Sequence, residues 1–228
     1  MLCFTSNGQD IEAIASQDPV RFRGALQFSS ALYDAEGIDR RKPPFGYAVS
    51  GNLVFSLYGI DMPVSFLYSN YQRDFRQPFN YFGLSPKYKW ITVHLGYRRI
   101  KFSPYTLNGH RFLGAGVELN PGKFRFGAIY GKFQSAVEED STYLSEEGVQ
   151  TLPKPTYARK GYGVKVGVGS ERNYIDLIYF KGWDDPESLD KEPTAYSIRP
   201  SENAIIGIST RLSVKDYLSW YAEVGASA

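Results

Sequence analysis

The chain has few of the residues that usually carry chemistry. Its 228 residues include one cysteine, Cys3, two methionines and two histidines, His94 and His110. A single cysteine excludes an internal disulfide and a thiolate-built metal cluster. Neither sign of charge is in excess: 26 basic and 24 acidic residues leave +2, which gives no electrostatic reason to expect a nucleic-acid partner. No apolar run approaches the roughly 20 residues of a membrane helix. Mean hydropathy is −0.34. A polar average does not argue against membrane strands, because their alternation averages out.

Aromatics and glycine are plentiful instead: 18 Tyr, 15 Phe and 3 Trp beside 22 Gly. They fall in alternating runs. In NPGKFRFGAIYGKF (residues 120–133), Phe124, Phe126, Ala128 and Tyr130 share one side of an extended chain, and Lys123, Arg125, Gly127 and Gly131 the other. Tyr162, Val164, Val166 and Val168 alternate with Gly161, Gly163, Lys165, Gly167 and Gly169. Residues 45–57, 91–98, 206–213 and 218–227 repeat the pattern, with weaker versions at 21–33, 64–73 and 174–181. Counting 111–119 and 123–133, period two predicts about ten strands.

Asn120-Pro121-Gly122-Lys123 suits a four-residue hairpin connection. That hairpin sets Leu119 opposite Phe124 and Glu118 opposite Arg125, while Lys165 lies diagonal to Asp176 and Ser219 opposite Arg211. Short turns also fit 169–173 and 214–217, whereas 134–157 and 184–203 read as long polar loops. Residues 75–89 and 99–110 read as two further long connections, which breaks the alternation of short and long.

Such alternation fits a soluble β-sandwich binding module or a membrane barrel. Several patterns exceed the five or six residues typical of soluble strands. The minor face holds Gly, Ser and Ala with isolated charges, which suits a crowded barrel interior. Tyr97, Tyr130, Tyr162, Tyr179 and Trp220 near strand ends suit an interfacial girdle. The expected fold is therefore all-β: an antiparallel transmembrane β-barrel of about ten strands, or the N-terminal part of a larger barrel. Residues 1–19 read as the remnant of a secretory signal peptide or a flexible N-terminus. Residues 20–228 read as the barrel domain, incomplete at its C-terminus if the barrel is larger.

The segments FNYFGLSPKYKW and KFSPYTLNGHRFLGAGVELNPGKFRFGA, with the Gly-rich strands, resemble outer-membrane β-barrel proteins of Bacteroidota-type Gram-negative bacteria. That group includes porins, translocon barrels of the type IX secretion system and large barrels of unassigned role. The resemblance implies the outer membrane as location and its lipid as partner, but carries over no functional residue.

The favoured role is transport or secretion across the outer membrane, alone or with other secretion or transport components. The alternatives are a structural or adhesive surface barrel working through its acidic loops, and a barrel hydrolase resting on His94 and His110. No catalytic, cofactor or metal residues are assigned, and the chain is not expected to be an enzyme. The cluster Glu138, Glu139, Asp140, Glu146 and Glu147 lacks the spacing of a calcium loop, and the strand glycines precede no helix that could form a nucleotide loop. The faint SNGQ (6–9) likeness to a phospholipase motif lacks the neighbouring His and Ser, and LPKPTY (152–157) reads as a stiff loop. Inward assignment of the minor faces makes His94, Glu118, Arg125, Arg159, Lys165, Asp176, Arg211 and Glu223 the candidate lumen lining.

Overall fold

The computed structural model describes residues 20–37, 44–70, 80–139, 154–191, 193, 197–214 and 217–228. The expected leader, SNGQ, Cys3, Asp140, Glu146 and Glu147 lie outside them. Twelve strands form one antiparallel sheet: β1 (Val20–Leu32), β2 (Phe45–Leu57), β3 (Ile60–Ser69), β4 (Tyr81–Leu84), β5 (Lys87–Tyr88), β6 (Ile91–Ser103), β7 (Leu107–Leu119), β8 (Phe124–Gln134), β9 (Ala158–Gly169), β10 (Tyr174–Asp185), β11 (Glu202–Val214) and β12 (Leu218–Ser227). Each strand pairs with its neighbours in chain order, and β4 and β5 share one place between β3 and β6. β1 and β12 stand at the two ends of that path and run in the same direction. Antiparallel closure of the sheet on itself therefore requires an odd number of further strands.

The tight turns lie at one end, except for the three-residue tip of the β6–β7 hairpin, which lies at the other. Leu57 pairs with Ile60 around Tyr58 and Gly59, both at positive φ (45° and 82°), as a two-residue turn matched to strand twist requires. Short links also join β5 to β6, β7 to β8, β9 to β10 and β11 to β12. The longer connections, 33–44, 70–80, 135–157 and 186–201, lie at the other end.

The two expected long connections at 75–89 and 99–110 are corrected. Residues 81–88 form β4 and β5, too short and too interrupted by Ser85-Pro86 for period two to reveal. Residues 99–110 are the distal half of the β6–β7 hairpin, whose register shifts on either side of Lys101. Such bulges insert unpaired residues and destroy the alternation that pattern reading depends on.

The faces divide as their side chains predict. Phe124, Tyr130, Tyr162, Val166, Val168, Ile175, Leu177, Ile206, Ile208, Leu212, Trp220 and Val224 are exposed on one face. β1 is exposed on both sides, whereas over β6–β10 the other face is covered. Ile100, Phe102, Leu107, Phe112, Ile129 and Ile178 pack there, with Phe133 and Phe180 against them. The core therefore lies on the glycine-rich face, because the distal β6–β7 hairpin folds over it.

Register differs from expectation by two residues at two hairpins. Leu119 pairs with Phe126, not Phe124, and Glu118 with Gly127, not Arg125. Phe124 and Arg125 pair only with β9, opposite Val168 and Gly167. The cause is local: the Phe124 amide donates to Pro121 O (3.1 Å) and the Asn120 amide to Trp90 O (2.9 Å), which commits the loop to a turn and to β5–β6. At β11–β12 Arg211 lies opposite Tyr221, and Ser219 opposite Ser213.

Candidate functional site

The covered face carries its own set of charged side chains. By register, all eight expected interior residues project from it: His94 from β6, Glu118 from β7, Arg125 from β8, Arg159 and Lys165 from β9, Asp176 from β10, Arg211 from β11 and Glu223 from β12. The structure groups them differently from the expected pairs. Arg125 reaches across β9 to Asp176 on β10, donating through Nε (2.8 Å) and NH2 (3.0 Å). This fork leaves the 1% exposed Asp176 well satisfied. Gly167 makes the reach feasible, since it lies between the two strands opposite both Arg125 and Asp176.

Glu118, expected on Arg125, instead binds His94: its Oε2 accepts from Nε2 at 3.1 Å, and Nδ1 lies 2.8 Å from Ser85 Oγ. A carboxylate only accepts, so Nε2 carries a proton; in the neutral imidazole Nδ1 then accepts from the Ser85 hydroxyl. The result is a carboxylate–imidazole–hydroxyl chain across β7, β6 and the β4–β5 junction. Ser85 was invisible as its member, because it lies inside a segment read as loop. In hydrolases that use such a chain, backbone amides stabilise the oxyanion. Here the Ser85 amide already donates to Pro63 O at 2.9 Å, and residue 86 is a proline with no N–H.

Lys165 is diagonal to Asp176, as expected, and is 7% exposed. It has no ion-pair partner among the described residues, and its Nζ lies 5.3 Å from the Phe102 ring centre. Arg98 is likewise without a carboxylate partner there, donating to Ser65 Oγ (2.9 Å) and Pro63 O (2.6 Å). Arg211 is exposed and also lacks one. Arg159 lies at the long-loop end, bound by Asp184 at 2.7 and 3.0 Å.

The feature sequence reasoning missed is the hairpin tip, Ser103–Leu107. It crosses the covered face from β8 to β12. Phe102 touches the backbone at Gly127 and Gly163: a Cβ there would come within 2.9 and 3.2 Å of its ring. Thr106 lies over Gly207 of β11, where a Cβ would be 2.9 Å from its Oγ1. The Tyr105 amide donates to Glu223 Oε1 of β12 at 3.1 Å, and Glu223 also accepts from the Tyr221 hydroxyl. The small residues of β8, β9 and β11 are thus the bed in which this hairpin lies. The available signal was the pair of turn formers Ser103-Pro104 and Asn108-Gly109 set among Ile100, Phe102, Leu107 and Phe112.

At the long-loop end the described loop segments bind one another. Asp190 N donates to Glu138 Oε1 (2.8 Å), Ala158 N to Ser188 Oγ (2.8 Å), and Val137 bridges to Thr156. Among the described residues no three His, Cys, Asp or Glu side chains form a metal-binding group. No protein-family model, curated protein or solved structure matches this chain.

Proposed function

We propose that the chain forms a β-barrel wall in the outer membrane of a Gram-negative bacterium and serves transport or secretion across it, with the β6–β7 hairpin as a constriction in the interior. The observation that carries this reading is the uncovered apolar face. Its rows end in aromatics at both ends. Tyr47, Tyr68, Tyr97, Tyr130, Tyr162 and Tyr179 stand toward the long loops, and Phe124 and Trp220 toward the short turns. From Phe124 to Lys132 the strand rises roughly 27 Å, or about 20 Å along the normal at a tilt near 40°, close to the apolar band of such barrels. A soluble sandwich would cover these rows with a second sheet. All twelve strands here belong to one.

The interior reading follows from the charge pairing. Asp176 and Glu118 are committed to Arg125 and His94, and Glu223 to Tyr105 and Tyr221. Arg98 and Arg211 keep uncompensated positive charge, which favours anionic solutes in a watery passage. The Ser85–His94–Glu118 chain serves as bracing between β4–β5, β6 and β7, since the Ser85 amide and Pro86 offer no oxyanion donors.

The test is reconstitution of the full chain in planar bilayers. Insertion with small, anion-selective conductance steps is expected. A protein that stays monodisperse in water without detergent, and fails to float with vesicles, sinks the membrane reading.

A further inference from the structure

The uncovered face carries a second row just beyond its aromatics, and that row is basic. Arg99 of β6 lies directly opposite Arg111 of β7, and Lys132 of β8 directly opposite Lys160 of β9. Leu113 opposite Lys132 sets Arg111 diagonal to Lys132, and Tyr162 opposite Lys181 sets Lys181 diagonal to Lys160. Five successive strands therefore present a cation on the same side at the same end. Like charges directly opposed destabilise a sheet. Two of the five are offset: Lys160 by Asp185 (2.6 Å) and Lys181 by Glu202 (3.0 Å). Arg99, Arg111 and Lys132 have no carboxylate partner among the described residues, and the Arg111 guanidinium lies 4.4 Å from the Tyr81 ring centre.

We infer that Arg99, Arg111 and Lys132 form a binding surface for the phosphate of anionic lipid headgroups in the leaflet at the long-loop end. The inference rests on the membrane reading above and names the lipid class it prefers. Depth selects the occupant. The cations follow Tyr97, Tyr130 and Tyr162 along the strands, so in a bilayer they stand at headgroup level with apolar rows beneath them. A soluble polyanion would match the charge but leave those apolar rows in water. Two guanidinium groups side by side suit phosphate, whose oxygens accept paired N–H donors.

The test compares tail-labelled phosphatidylglycerol with tail-labelled phosphatidylcholine binding to the full chain in mixed micelles, beside insertion into phosphatidylcholine vesicles. The expected result is a preference on the order of tenfold for the anionic lipid at low salt, collapsing near 0.5 M salt as exposed charges are screened. The R99Q/R111Q/K132Q variant should lose the preference, while Lys123→Gln, at the short-turn end, should keep it. If the triple variant does not fold, the salt response of the unaltered chain decides. Inorganic phosphate at millimolar concentration should not displace the lipid; displacement would mean that the row binds free phosphate and overturn the lipid assignment. Insertion into phosphatidylcholine with equal binding of the two lipids overturns the inference and leaves the barrel reading standing. Failure to insert into any vesicle overturns both.

Discussion

The backbone amide of Tyr105 donates to the carboxylate of Glu223 at 3.1 Å, across 118 positions of sequence. This contact joins the tip of the β6–β7 hairpin to β12 and sets the hairpin across the covered face. If the tip narrows a passage, replacing residues 103–107 with a two-residue glycine turn should raise single-channel conductance several-fold in planar bilayers. Glu223→Ala should do so in part, by removing the anchor while leaving Phe102 packed on β8 and β9. Unchanged conductance in both variants would exclude a constricting role.

The Arg125–Asp176 pair gives a stability prediction. Asp176 is almost wholly buried, and removing its charge leaves Arg125 and the neighbouring Lys165 without compensation. Asp176→Asn should cost about 3–5 kcal/mol, the range for breaking a buried pair, whereas R125M/D176L should recover much of that loss. Urea unfolding of the vesicle-inserted protein measures both. A double variant as unstable as the single one would mean that the pair contributes more than relief of buried charge.

Glycine positions on the covered face differ in a way that can be checked. A Cβ at Gly163 meets Phe102 and Phe180 ring atoms at 3.2 Å, which a small shift relieves. At Gly167 a Cβ would overlap Asp176 Oδ1 and lie 2.6 Å from Ile175 O, so nothing there can yield cheaply. Gly167→Ala should therefore destabilise more than Gly163→Ala in the same unfolding assay. Equal effects would argue against the Arg125–Gly167–Asp176 geometry.

On the opposite face, Val166 is 43% exposed near mid-strand. Val166→Arg should cost roughly 2–4 kcal/mol in a bilayer, the penalty for a cation at the midplane on the lipid side. In a water-exposed sheet the same change should be nearly silent. The two outcomes separate lipid from water as the solvent of that face.

Arg211 tests the interior. It is exposed, has no carboxylate partner among the described residues, and lies opposite Tyr174 and Tyr221 in register. Arg211→Glu should move the reversal potential toward cations if current passes along this face. A folded, conducting variant with unchanged reversal potential would leave Arg211 outside the conduction path.

The sequence by itself determined which residues share a face. Period two assigned Arg125, Lys165, Asp176 and Glu223 to one side, and Phe126, Val166, Leu177 and Val224 to the other. The tight turns at 169–173 and 214–217 were equally legible, because their residue types leave the chain little else to do. Pattern could not choose between registers two residues apart. A slip of one moves every side chain to the wrong face, but a slip of two returns each to its own, so alternation is blind to it. Only the hydrogen bonds of Asn120 and Phe124 decided that Leu119 meets Phe126, and with it that Arg125 goes to Asp176 and Glu118 to His94. The covering of the glycine face was likewise a tertiary decision. Bulges beside Lys101 erase the strand signature, and the hairpin's place rests on contacts with β8, β9, β11 and β12, which only the curled sheet brings within its reach.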